Sequence, residues 1–177
     1  MQRRNTCDIE TWTKELRAGD EILLCGTVYT ARDAVHKKFA QLIAEGKELP
    51  IPLRGAVIYY AGPTPSKNGL AVGSCGPTTS SRMDKHTPML LDRGLSAIIG
   101  KGERNGEVRE AISRNGAVYF CAIGGAGALY ADRIKTCEVV AFEELGCESL
   151  KKMTVEDFPL IVGVDAHGGN IFDRKTK

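Results

Sequence analysis

The feature that most constrains the fold is an uneven interleaving of strand-like and helix-like segments. EILLCGTVYT, GAVIYYAG, LAVGSCG, SAIIG, AVYFCAI, CEVVAF and LIVGVDA are short, rich in Val, Ile and Tyr, and bounded by Gly, Pro or Asp, which predicts strands. ARDAVHKKFAQLIAEG, TTSSRMDKHTPMLLDRG and NGEVREAISRNG carry apolar residues at three and four spacing with Gly near their ends, which predicts helices. After GGAGA the strands run almost without helix between them. That asymmetry predicts an α/β layered domain with a mixed sheet rather than a regular doubly wound one. A length of 177 residues, 42% hydrophobic and 26% charged, suits one domain with a real core, taken as 1–177. The strongest breaker, Ala61 to Gly69, is too short for a domain linker.

The charges narrow the function classes. Twenty-four basic and 22 acidic residues are well mixed, for a net charge of +2, so no basic face points to nucleic acid and any cationic site must be local. No apolar run approaches the length of about 18 residues a membrane span needs, and the polar N-terminus lacks the apolar core of a signal peptide, so a cytoplasmic protein is expected. The six cysteines contain no CxxC pair and no zinc-ribbon or ferredoxin spacing, so no metal site is expected within this chain. Cys25 and Cys121 lie in apolar strand-like runs and read as small core hydrophobes. Cys75, three residues before Thr78, reads either as a small residue ending a strand or as a group near a site.

Three cationic elements follow strand-like runs. In GPTTSSRMD, Gly76 to Asp84, the Gly-Pro turn is followed by a threonine able to cap a helix, which sets Thr78 and Arg82 four apart on one helical face. An arginine fork and the free N–H groups of a helix start together suit a carboxylate; the other reading is an ordinary capped helix with a solvated arginine. In TARDAVHKK, Arg32 emerges at a strand's carboxyl end as a helix begins, with His36 one turn on, and that edge is where α/β sheets bind ligands. In IIGKGERNG, Lys101 projects between two glycines as a point charge, without a Walker pattern. GGAGA, Gly124 to Ala128, lacks the dinucleotide fingerprint and reads as a close-packing turn or a minor wall of a site. Asp165 and His167 in VDAHGGNIF read as a structural turn. Arg32, Arg82 and Lys101, with Thr78 beside them and no evident base, would suit a small dianion.

This set, in this order, resembles the β subunit of the iron–sulfur-dependent class I fumarases and L-tartrate dehydratases, itself similar to the C-terminal domain of the single-chain enzymes. The resemblance runs through GTVYTARDAVHKK, GAVIYYAGPTP, SCGPTTSSRMD, IIGKG and FPLIVGVDAHGGNIF, nearly the whole chain. It implies a swivelling β/β/α domain with a mixed sheet and flanking helices. It implies a hydro-lyase that hydrates fumarate to L-malate at a [4Fe–4S] cluster held by a partner α subunit, in an α2β2 assembly in which β–β contacts are plausible. By the same resemblance Arg32, Arg82 and Lys101 bind the substrate carboxylates and Thr78 is a proton-transfer group, the other role open to Thr78 being to hydrogen bond the substrate while a water or a partner residue moves the proton. His36, Thr79 and Asp84 are the candidate supporting residues. L-Tartrate is the rival substrate, favoured less by RMDKH and VDAHGGN. A non-catalytic dicarboxylate-binding or assembly module is the alternative from another class.

Overall fold

Glu21–Thr30 is the longest uninterrupted run of the first sequence pattern, and its ten residues form a single strand on which the rest of the sheet is organised. In the computed structural model, which describes residues 1–66 and 69–173, the strands are β1 Gln2–Asn5, β2 Glu21–Thr30, β3 Val57–Tyr59, β4 Ala97–Gly100, β5 Val118–Cys121, β6 Ile134–Ala141 and β7 Leu150–Val164. The helices are α1 Ile9–Trp12, α2 Asp33–Ala44, α3 Thr87–Leu91, α4 Gly106–Asn115 and α5 Gly127–Arg133. β2, β3, β4 and β5 are parallel neighbours in that order. β7 runs antiparallel to both β5 and β2, and so closes these five strands into a barrel. β1 lies parallel to the first half of β2, and β6 pairs with the first half of β7. The mixed sheet read from the sequence is therefore present.

Alternation along the central strands explains why they read as continuous apolar runs. Val57 and Tyr59, Ala97 and Ile99, and Val118 and Phe120 point into one core, with Leu24, Val28, Phe158, Leu160 and Val162. Ile58 and Tyr60, Ile98, and Tyr119 point outward into a second core made with Val35 and Phe39 of α2 and Val108 and Ile112 of α4. Both faces of each strand are buried, so neither face needs polar residues. Closure bends the long pair: the β2–β7 register shifts between Leu24 and Gly26, and Gly26 takes φ 110°, with no room for a Cβ beside the Thr6 side chain.

Local chemistry fixes the helix ends. The Asn105 side chain accepts the Val108 N–H (2.9 Å) to start α4, and Gly116 ends it in the left-handed conformation at φ 63°.

Several expectations differ from the structure. LAVGSCG is not a strand: the Gly73 N–H donates to Thr64 O and the Thr64 N–H to Ser74 O, so the segment folds back on the preceding loop, and a Cβ on Gly73 would collide with Pro65 O. The continuous helix expected over TTSSRMDKHTPMLLDRG is a short 3-10 turn, Ser80–Met83, followed separately by α3. Pro88 can sit only near the start of a helix, and the residues before it bond to the end of β4 instead. β1, α1 and α5 were not anticipated, and LIVGVDA is the last part of a strand that begins at Leu150. The expected loop Ala61–Gly69 includes Lys67 and Asn68, and the expected single domain includes residues 174–177; these lie outside the described residues. No described helix is long and apolar enough to cross a membrane.

Candidate active site

The parallel strands β2 to β5 all end at one rim of the barrel, and their carboxyl ends carry the cationic residues. Arg32 follows β2 as the N-cap of α2, while the Ala31 N–H donates to Tyr59 O of the neighbouring strand. Thr78 is held beside the end of β3 by its N–H, which donates to Tyr60 O at 2.7 Å. Lys101 directly follows β4, and its stem lies against Gly124 at the end of β5, where a Cβ would stand 3.5 Å from Lys101 Cδ. Gly62 leaves space for Arg32 in the same way, since a Cβ there would come within 3.2 Å of Arg32 Nη1. GGAGA is thus a wall of this rim, and its last residues begin α5.

Thr78 and Arg82 do not share a helical face. Thr78 precedes the 3-10 turn in an irregular segment, Thr79 stands at its N-cap without a side-chain capping bond, and Arg82 lies within it, half exposed. What brings the segment to the rim is backbone pairing with Lys101. Thr79 and Lys101 form a parallel bridge, Ser80 N–H donates to Lys101 O (3.0 Å), and Lys101 N–H donates to Ser80 Oγ (3.0 Å).

Both arginines already face carboxylates of this chain. Arg32 Nη2 lies 2.9 Å from Glu148 Oε1, and Arg82 Nε lies 3.2 Å from Asp33 Oδ1. Neither pair exhausts the groups present: Arg32 Nε and Asp33 Oδ2 are buried and without a hydrogen-bond partner. Glu148 belongs to a 3-10 segment, Glu143–Glu148, held over the rim by Lys151, whose Nζ donates to Gly146 O (2.9 Å) and Ser149 Oγ (2.6 Å). Burial lowers the pKa of that lysine, which has no carboxylate partner among the described residues.

The three supporting residues divide. Thr79 is exposed at the rim. His36 is fully buried one turn below Arg32, its ring edge-on to Tyr60 at 5.2 Å, and Nδ1–H donates to Arg32 O (2.9 Å). Burial pushes its pKa down to about 4 against the opposing effect of that hydrogen bond, so the ring is neutral. Asp84 turns away from Arg82. It is buried, with Oδ1 accepting from Arg104 Nε (2.7 Å) and Oδ2 from Asn105 N–H (2.9 Å). Arg104, wholly buried, also donates to Thr87 Oγ1 (2.9 Å) and lies between the rings of Tyr60 and Tyr119, 5.4 and 4.9 Å from their centroids.

Glu148, Ser80 and Arg104 were not singled out from the sequence. Glu148 reaches Arg32 only through the fold, and a buried arginine looks like a solvated one in a charged GERNGE stretch. Asp33 adjoins Arg32 in the ARD triplet but was not singled out either. Asp165 accepts N–H groups from Ala18, His167 and Gly169, a turn at the opposite end of the barrel, as the sequence reading had it. A cleft lined by Thr13, Arg54 and Asn115 also lies at that opposite end, near the starts of β3 and β5.

The cysteines do not fit a cluster. Among the described residues no three His, Cys, Asp or Glu side chains converge as metal ligands. Cys75 is buried and its thiol is pushed up to about 12 by burial, the reverse of the thiolate a metal requires.

Comparison with known proteins shows the family of the chain. Residues 3–175 match the family model described as "Fumarase C-terminus". The chain is 42% identical to the anaerobic class I fumarate hydratase of Escherichia coli strain K12 over 85% of its own length and 28% of that enzyme's, and 39% identical to fumarate hydratase 2 of Leishmania major over 88% and 28%. It spans little more than a quarter of the length of these fumarate hydratases. It is also 38% identical to a protein of Methanocaldococcus jannaschii named as a putative L(+)-tartrate dehydratase subunit beta, over 93% of this chain and 87% of that one. With nearly every described residue inside the match, the chain belongs to the Fumarase C-terminus family.

Proposed function

We propose that this chain is the β subunit of a class I iron–sulfur hydro-lyase that interconverts fumarate and L-malate, with the carboxylate-binding groups here and the [4Fe–4S] cluster on a partner α subunit. The observation that carries the reading is the convergence of Arg32, Thr78 and Lys101 at the carboxyl ends of adjacent parallel strands, with Arg82 brought in by the Ser80–Lys101 pairing. Each arginine already holds a carboxylate at hydrogen-bonding distance. A dicarboxylate would take the places of Glu148 and Asp33, and Lys101 would add a third positive charge. Fixed cations of this kind stabilise negative charge that grows on the substrate's carbon skeleton when a proton leaves it. Thr78 would hydrogen bond the substrate or carry that proton. A threonine hydroxyl is a weak base, and neighbouring cations in a dry site are what would favour its alkoxide character.

The rim is an open edge, and the proposal has a partner cover it in an α2β2 assembly, with the swivelling β/β/α body closing over the cluster. L-Tartrate is the alternative substrate, supported by the Methanocaldococcus jannaschii relative that matches this chain along most of both lengths. The test is an anaerobic assay of the chain mixed with a cluster-reconstituted α partner, offering malate, fumarate and L-tartrate, each subunit alone serving as control. Turnover only in the mixture supports the reading and names the substrate. A stable, cluster-loaded complex without turnover on any of the three overturns it and leaves dicarboxylate binding without catalysis.

A further inference from the structure

We propose that Ser80 is a positioning residue for Lys101, backed by Tyr119 and by the buried Arg104–Asp84 pair; the catalytic meaning of this role rests on the proposed function above. Lys101 sits just past the end of β4, and nothing in a lysine side chain fixes where its ammonium points. The segment from Lys101 to Asn105, however, is held at three places. Ser80 accepts the Lys101 N–H on Oγ (3.0 Å) and donates its own N–H to Lys101 O (3.0 Å). The Tyr119 hydroxyl lies 3.0 Å from Ser80 Oγ and donates to Gly102 O at 2.8 Å. Asp84 accepts the Asn105 N–H and the Arg104 Nε–H, tying the far end of that segment to the residues that follow Ser80.

Ser80 is wholly buried, so its hydroxyl is not a solvated surface group. Gly100 lies so close that a Cβ there would overlap Ser80 Oγ; a glycine at the end of β4 is what lets the serine reach the strand. The same residue is two positions from Thr78 and two from Arg82. The hydroxyl therefore adds a side-chain bond to the backbone pairing that joins the segment bearing Thr78 and Arg82 to Lys101. The apolar surroundings strengthen these bonds and make a missing acceptor costly.

Ser80→Ala removes the acceptor of the Lys101 N–H and leaves the strand in place. The expected result in the full chain is hydrogen exchange at the Lys101 amide faster by about tenfold, with exchange at the Ile98 amide unchanged. In the mixture with the α partner, KM for the dicarboxylate should rise by about tenfold while kcat changes far less, the mark of a displaced binding group. Tyr119→Phe keeps the ring and removes one of the hydroxyls, and should shift the same two readouts in the same direction by less; it serves if Ser80→Ala does not fold. An unchanged Lys101 exchange rate in a folded variant, or an equal loss in kcat with KM unaltered, overturns the proposal. If the wild-type mixture turns over none of the three dicarboxylates, the functional reading fails, and the exchange rates still decide whether Ser80 moors Lys101.

Discussion

At the scale of single residues, the rim is a set of cations held in check by the chain's own acids. Arg32 and Glu148 are both partly exposed, so their attraction is screened and modest, and a dianion with two carboxylates can displace the single one. Glu148→Gln should therefore tighten binding of succinate to the chain, measured by calorimetry; weaker binding would mean that Glu148 orders Arg32 rather than competes for it. Thr78→Val keeps the side-chain shape and removes the hydroxyl. It should lower kcat by about a hundredfold or more with little change in KM, and an unchanged kcat would remove Thr78 from proton transfer. His36 adds a pH dependence. Its folded pKa, about 4, lies below the ordinary 6.5, so between those values the unfolded chain binds the proton more readily. Stability from this group is complete above pH 6.5, falls as the pH drops toward 4, and levels off below it. Denaturant unfolding should show up to about 3 kcal/mol of this loss, removed in His36→Leu.

At the scale of elements, the helices with local caps were the legible ones. α2 and α4 follow their sequence patterns because apolar spacing, Asn105 and Gly116 act within a few residues. Asn105→Ala should cost about 1 kcal/mol, read as a lower denaturation midpoint, through loss of the bond to Val108 N–H. The stretch from Thr78 to Gly94 was misread as one helix for a physical reason. Its three and four spacing was real, but pairing of Thr79 and Ser80 with the Lys101 strand end outweighed one more turn of helix, and Pro88 forced a fresh start. The turn at Asp165 was read correctly because an Asx-type acceptor among glycines declares itself locally.

At the scale of the molecule, one strand makes the barrel. β7 pairs with β2 on one edge and with β6 and β5 on the other, joining the C-terminal part of the chain to its first long strand. Phe158 marks the seam: it is fully buried, with its ring centroid 4.5 Å from Tyr130 and 5.4 Å from Tyr59. Phe158→Ala should cost about 3–5 kcal/mol, observed as a fall in Tm, because neither β7 nor α5 can collapse into the space without opening the ring. A cost below about 1 kcal/mol would show that closure does not depend on this packing. The same closure carries Glu143–Glu148 over the rim and so places Glu148 on Arg32.

The sequence by itself determined the identity of most strands, the mixed sheet, the start of α2 at Arg32 and the exit of Lys101 from β4. Each of these rests on periodicity, capping or glycine placement within a few residues, and the family followed from those motifs taken in order. Only the tertiary structure decided that the sheet closes, that Asp84 turns inward to a buried Arg104, that Ser80 joins two motifs, and that Glu148 and Asp33 face the arginines. Closure and all four of those contacts join residues distant in sequence, through strand pairing and burial that no local pattern encodes. Asp33 and Arg82 were each visible in a motif, but their meeting depended on where the 3-10 turn came to rest.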